Sequence, residues 1–203
     1  MKFIIIFIGA LILNFILINL YKSLSTKKIL QNHDTHILDT PRLGGITLIL
    51  IFSLYLIYSN QLEILKIVFI SMIAVLPAMF EDFKINIHPF LRLALIIICS
   101  LIIVININIL PSFEMGFLNI MINNFYFKIF FFTIALTIIT NGQNIIDGTN
   151  GLSAFTSVSI FVSILIYSYY FNHTQLIENC IILIILIFSF LCFNFPYGKI
   201  FLG

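Results

Sequence analysis

The sequence predicts an all-α, polytopic membrane protein with about seven transmembrane helices in its 203 residues. Three observations carry that prediction. Hydrophobic residues make up 61% of the chain and charged residues 9%, with a mean hydropathy of +1.16, and a soluble globule needs a more polar exterior than this. The apolar residues fall in runs of roughly sixteen to twenty, about what one bilayer crossing needs. Within these runs apolar and polar residues do not alternate, which excludes a β-barrel.

The elements follow in order. Phe3–Leu20 opens like a secretory signal, but its apolar core is too long, it lacks a small-x-small cleavage site, and further spans follow. It is therefore expected to stay as the first span. Gly45–Ser59 and Ile64–Phe80 are the second and third spans, separated only by a short polar turn. Leu91–Leu110 is the fourth, with His88-Pro89 as its start signal. Asn106 and Asn108 sit near its end, suited to interfacial water or a neighbouring helix. Phe125–Thr140, Leu152–Phe171 and Ile177–Phe195 complete the set. Cys99, Cys180 and Cys192 all lie in apolar runs, without disulfide or metal spacing, and read as small hydrophobes. The whole of residues 1–203 reads as one integral membrane domain.

Seven spans place the polar segments alternately on two sides. Lys22, Lys27, Lys28, Arg42, Lys84, Arg92 and Lys199 fall on one side, and Lys2, Lys66 and Lys128 on the other. Positive charge prefers the cytoplasm, so the first side is expected to be cytoplasmic and the N-terminus outside. All the polar clusters that look chemical share that side: DTPRLGG, EDFKINIHPFLR, NGQNIIDGTNGLS and PYGKIFLG. The net charge of +2 is too small to argue for nucleic acid. A soluble, charged, cytosolic substrate would explain the asymmetry.

In NGQNIIDGTNGLS, Asn141, Asn144, Asp147 and Asn150 recur every third residue. A step of three drifts about 60° around an α-helix, so four such groups cannot share one face. Gly148 and Gly151 also argue against a continuous helix. The expectation is a helix ending near Asn144, followed by a turn that folds back over a ligand. Carboxamides both donate and accept, which suits a nucleotide or a sugar, whereas the blander reading is a capped interhelical loop. Glu81-Asp82 places two adjacent carboxylates at the end of an apolar run. Such a pair fits a divalent metal or proton transfer, or else a solvated helix end. Arg42 in DTPRLGG is a forked donor suited to phosphate, or else a positive-inside anchor. His33, His36 and the acceptor-like Asn172-His173-Thr174 carry no further weight.

Together these motifs resemble the polyprenyl-phosphate N-acetylhexosamine-1-phosphate transferases, relatives of the MraY-type enzymes. The family's first motif resembles PRLGG, Pro41–Gly45. Its second is the acidic pair, here Glu81-Asp82. Its third resembles NxxNxxDGxxGL, here Asn141 to Leu152, and its fourth begins KxFxG, here from Lys199. The third is the specific one.

The resemblance implies transfer of a HexNAc-1-phosphate from a UDP-HexNAc to undecaprenyl (polyprenyl) phosphate with release of UMP. It implies Mg²⁺ as cofactor, a bacterial plasma-membrane location with cytoplasmic active-site loops, a role in starting envelope glycans, and a homodimer. Residue by residue, Asn144 resembles a Mg²⁺ ligand. Glu81, Asp82 and Asp147 match catalytic positions. Gly148, Thr149 and Asn150 match the uracil cradle, with Asn141, Arg42, Arg92 and Lys199 as further substrate contacts.

The sequence departs from the family pattern in three places. Glu81 stands where Asp is usual, and Asn150 where many bacterial members carry Asp. The family would supply a Mg²⁺-ligating Asp and further spans after Gly203, so these residues alone are expected to be an inactive N-terminal portion. PRLGG rather than PTMGG favours the N-acetylhexosamine branch over the MurNAc-pentapeptide branch. The rivals are an inactive binder of nucleotide or lipid and a transporter fragment. The latter calls for ionisable groups in mid-span, and here Lys66 and Lys128 lie near span ends.

Overall fold

The computed structural model describes residues 1–24, 40–82, 88–107, 116 and 121–202, with backbone alone at 23–24 and 76–82. Among them are seven long α-helices and no strand. They are α1 (Lys2–Leu24), α2 (Gly44–Tyr58), α3 (Leu62–Asp82), α4 (Pro89–Asn106), α5 (Phe125–Ile146), α6 (Leu152–Tyr170) and α7 (Thr174–Asn194). Each coincides with one expected span. The largest extension is in α5, which runs past Thr140 and takes Asn141 and Asn144 into its last turns. His33, His36, Lys84 and Asn108 lie outside the described residues.

Among the described residues, α1, α4, α5, α6 and α7 are long and apolar enough to cross a membrane. At 15 residues α2 rises only about 22 Å, less than the ~30 Å hydrocarbon core. α3 has 21 residues, with Glu63 and Lys66 in its first turns and Glu81 and Asp82 as its last two residues. The exposed side chains of α1, among them Ile4, Ile5, Ile8, Ile12, Phe15 and Ile16, make a face suited to hydrocarbon rather than water.

The helices group into two compact units, residues 1–59 with 146–203, and residues 60–145. In the first unit α6 and α7 form a hairpin closed at Phe171–His173, where the His173 amide donates to Ser168 O at 2.9 Å. Packing against α7 come α1 and α2. Two sets of contacts give the directions. At one end Lys2 Nζ donates to Glu178 Oε1 (2.8 Å) and the buried Tyr55 hydroxyl to Glu178 Oε2 (2.9 Å). At the other, Ile18, Ala154, Ile187, Phe190, Leu191 and Ile200 form the buried core. So α1 runs parallel to α7, while α2 and α6 run against it.

Several hydroxyls inside these helices donate to carbonyls one turn back, while those of Thr47 and Ser53 in α2 are buried without a hydrogen-bond partner. Ser157 donates to Ser153 O (2.9 Å), Ser168 to Ile164 O (2.6 Å) and Ser189 to Leu186 O (2.6 Å). In hydrocarbon, where no water can serve them, this is the cheapest solution.

In the second unit α3 and α4 pack as a hairpin, with Cys99 Sγ donating to Ile70 O at 3.3 Å. His88 starts α4 as expected: its Nδ1 accepts from Phe90 N (3.3 Å), and Pro89 takes the first helical position, where no amide is needed. Asn124 does the same for α5, its Oδ1 accepting from Tyr126 N (3.0 Å) and Phe127 N (3.2 Å).

The Glu178 carboxylate joins three helices of the first unit, and the buried Tyr55 hydroxyl gives it a measurable signature. Tyr55→Phe and Glu178→Ala should each destabilise the protein, the Tyr55–Glu178 bond contributing about 1 kcal/mol. The double variant should be no worse than the sum less that coupling, as read by thermal unfolding in detergent. Strict additivity would remove the bond from the account.

Candidate functional site

Three of the sequence motifs belong to the first unit, and backbone pairing brings them to one end of it. The segment after α7 doubles back beside the start of α2. Phe201 N donates to Pro41 O (2.9 Å), Gly44 N to Phe201 O (2.9 Å) and Gly45 N to Leu202 O (2.8 Å). This close approach is why the PRLGG motif ends in glycine. A Cβ on Gly44 would lie 2.6 Å from the Phe190 ring and 2.8 Å from Phe201 O, and one on Gly45 would lie 2.9 Å from Leu202 O.

The turn Asp147–Gly151 joins the same cluster. It starts where α5 stops: Thr149 N (3.3 Å) and Thr149 Oγ1 (3.0 Å) both donate to Ile146 O. It ends at Gly151, whose φ of +80° is a left-handed conformation that a side chain disfavours. A Cβ there would also meet the rings of Phe155 (2.9 Å) and Phe195 (3.0 Å), which pack edge to face. Asp147 is buried, whereas Gly148 and Thr149 are exposed.

Two carboxamides tie this turn to the segment after α7, in opposite directions. From α7, Asn194 is fully buried; its Oδ1 accepts from Gly151 N (2.5 Å) and its Nδ2 donates to Ile200 O (2.7 Å). From the turn, Asn150 Nδ2 donates to Pro196 O (2.7 Å). Asn194 carries no motif signature that sequence reasoning picked out. The available signal was a lone carboxamide closing an apolar helix just before Phe195-Pro196-Tyr197-Gly198, a place where orphan carbonyls and amides need partners.

Two cations sit on the paired segments. Arg42 is exposed next to the buried Pro41, and Lys199 is exposed with Nζ 5.9 Å from the Tyr197 ring centroid. The exposed end of this cluster therefore offers Arg42, Lys199, Gly148 and Thr149 above a buried Asp147. Exposed cations beside a glycine-containing turn suit a phosphate-bearing ligand.

The remaining expected residues lie in or next to the second unit. Asn141 and Asn144 are half-buried, one helical step of three apart on the last turns of α5, and Asp147 follows directly. Glu81 and Asp82 are the last two residues of α3, and Arg92 is half-buried in the first turn of α4. The structure thus gathers Arg42, Asp147, Gly148, Thr149, Asn150 and Lys199 at one end of the first unit. It places Glu81, Asp82 and Arg92 at the junction of α3 and α4 within the second.

Residues 64–203, well over half of the chain, match Glycosyl transferase family 4, so the chain belongs to this family of MraY-like phospho-sugar transferases. As a member it is a membrane transferase that passes a sugar-1-phosphate to polyprenyl phosphate. No curated protein and no solved structure matches the chain. The match begins after PRLGG, yet three backbone hydrogen bonds bind Pro41–Gly45 to residues within it.

Asn194→Ala leaves a buried amide and a buried carbonyl unpaired and should destabilise the protein by about 3 kcal/mol. Gly44→Ala should cost about 2 kcal/mol by forcing Phe190 and residue 201 apart. Gly142→Ala, in α5 with open space around its Cα, is the control and should be neutral or slightly stabilising. Denaturant or thermal unfolding of the three variants checks the order.

Proposed function

We propose that the protein transfers a HexNAc-1-phosphate from a UDP-HexNAc to undecaprenyl phosphate and releases UMP, at the cytoplasmic face of a bacterial plasma membrane. The observation that carries this reading is the convergence of PRLGG, the Asp147–Gly151 turn and the Lys199–Leu202 segment through backbone hydrogen bonds. It supports one phosphate-binding end rather than three separate loops. The cytoplasmic placement rests on the lysine and arginine bias.

The donor is a doubly charged diphosphate and the acceptor a charged phosphate, so the first task is to offset their repulsion. Arg42 and Lys199 do this in part, as exposed cations on the paired segments. Gly148 and Thr149 receive the nucleotide against the turn backbone, where the missing side chain of Gly148 permits close approach. Asp147, buried beneath them, holds the turn in shape. Asn141 adds a further substrate contact from the last turns of α5. The Glu81-Asp82 pair positions the lipid phosphate and takes its proton, with Arg92 as a nearby phosphate partner.

The Asn144 carboxamide carries an oxygen of the kind a hard cation takes, although no group of three or more His, Cys, Asp or Glu that could hold a metal occurs among the described residues. A partial oxygen shell completed by substrate phosphates and water is how Mg²⁺ is usually held. Asn144 is the side chain assigned to it. When bound, Mg²⁺ supplies charge neutralisation of the diphosphate. A homodimer, carried by the resemblance, would keep the same chemistry in each copy.

Membranes containing the full-length gene product should convert labelled UDP-GlcNAc or another UDP-HexNAc, with undecaprenyl phosphate and Mg²⁺, into labelled lipid and UMP. Chelation should abolish the product, and Asn144→Ala and Asp82→Asn should each lower turnover by roughly 100-fold or more. Absence of labelled lipid with every UDP-HexNAc would sink the proposal, and product only from UDP-MurNAc-pentapeptide would move the protein to the other branch.

A further inference from the structure

Asn14 and Thr47 are fully buried in the first unit with their polar atoms unpaired. Asn14, near the middle of α1, has a hydrogen bond at neither Nδ2 nor Oδ1, and Thr47, in the first turns of α2, has none at Oγ1. Elsewhere such groups serve themselves on the preceding turn. Asn106 Nδ2 donates to Ile102 O (2.8 Å), and the Ser189 hydroxyl to Leu186 O (2.6 Å). An unpaired polar atom inside a bundle is costly, so three of them in one region call for an occupant.

Helix packing puts the two residues at one level. α1 and α2 run in opposite directions; Lys2 and Tyr55 meet at Glu178, and at the other end Ile18 and Leu48 pack into one core with Ile187 and Phe190. Asn14 is one turn before Ile18, and Thr47 adjoins Leu48. Ser189 of α7, also fully buried, adjoins Phe190, whose ring lies against Gly44, about one turn before Thr47. The three side chains thus stand within about one helical turn of each other in depth, on helices that pack together. They are also complementary. Asn14 Nδ2 and the Thr47 hydroxyl can donate, whereas Asn14 Oδ1 can accept, as can Ser189 Oγ, whose proton is already committed to Leu186 O.

We propose that α1, α2 and α7 enclose an internal water site at this layer, with Asn14 and Thr47 as its principal partners. Water donates and accepts, so it can serve the amide N–H, the amide oxygen and the hydroxyl together. A hard cation would take the oxygens but is opposed by the Nδ2–H group. A direct Asn14–Thr47 bond would serve two of the three atoms and leave the third unpaired. Held this way, the water ties α1 to α2 one turn into the bundle from Gly44 and Gly45, whose amides pair with Phe201 and Leu202. The site does not depend on the proposed function.

Hydroxyl-radical footprinting of the full-length protein in nanodiscs tests this, because radicals made from an internal water oxidise side chains that bulk solvent does not reach. Ile18, Leu186 and Phe190 flank the layer and are at most 4% exposed. At least one of them should be oxidised in the wild type, and several-fold less in Asn14→Val and in Thr47→Val, which change side-chain volume little. Each substitution should also lower the thermal midpoint by about 4 °C or more, because it leaves the other group without its water. The double variant should lose less than the sum. A dry site predicts the reverse: no oxidation of the three residues, and Asn14→Val at or above wild type in thermal stability, since two unpaired atoms are removed. That result overturns the proposal. Coupled losses of stability without oxidation would establish a direct Asn14–Thr47 bond and overturn the water site as well. If Asn14→Val fails to accumulate, the footprints of the wild type and Thr47→Val decide by the same criterion.

Discussion

The motif end of the first unit depends on a small number of side-chain amides doing what secondary structure does elsewhere. Where helices stop, amides and carbonyls lose their partners, and at the edge of a hydrocarbon layer an unpaired one is costly. Asn194 answers this with one buried group that accepts from Gly151 and donates to Ile200. A hydroxyl or a carboxylate could not serve both with the same geometry, because only a carboxamide carries a fixed acceptor and a fixed donor side by side.

The rest of the cluster builds on that tie. With Ile200 held, the following residues lie straight enough for Phe201 and Leu202 to pair with Pro41, Gly44 and Gly45. The pairing brings the backbones so close that Gly44 and Gly45 have no room for a side chain. Arg42 and Lys199 are carried on these paired segments as exposed cations. The charged groups thus project from a scaffold held by the Asn194 carboxamide and by the pairing of residues 41–45 with 201–202, which favours a rigid anion site. The far end of the unit is closed differently, by the Glu178 carboxylate shared between Lys2 and Tyr55.

Much of this was legible in the sequence, for physical reasons that differ by feature. All seven helices were visible because an apolar run bounded by polar residues leaves a chain in lipid one backbone solution. The break after Asn144 was visible because the three-residue register of Asn141, Asn144, Asp147 and Asn150 cannot share one helix face, and α5 does stop at Ile146. The role of Asn194 was not visible. A single Asn at the end of an apolar helix has no periodicity to mark it, and its partners are 43 residues upstream and 6 downstream. The direction of the Asn150 bond was hidden for a similar reason: the sequence names a carboxamide but not which of its atoms is occupied.

The central claim is that the end of the first unit bearing Pro41–Gly45, Asp147–Gly151 and Lys199–Leu202 receives the nucleotide. Amide hydrogen exchange of the protein in nanodiscs, with and without saturating UMP, measures this most directly. The account predicts slowed exchange at residues 147–151 and 199–202, with no change at residues 171–174 at the opposite end. Protection confined to 171–174, or none at 147–151 while UMP is bound, would contradict it.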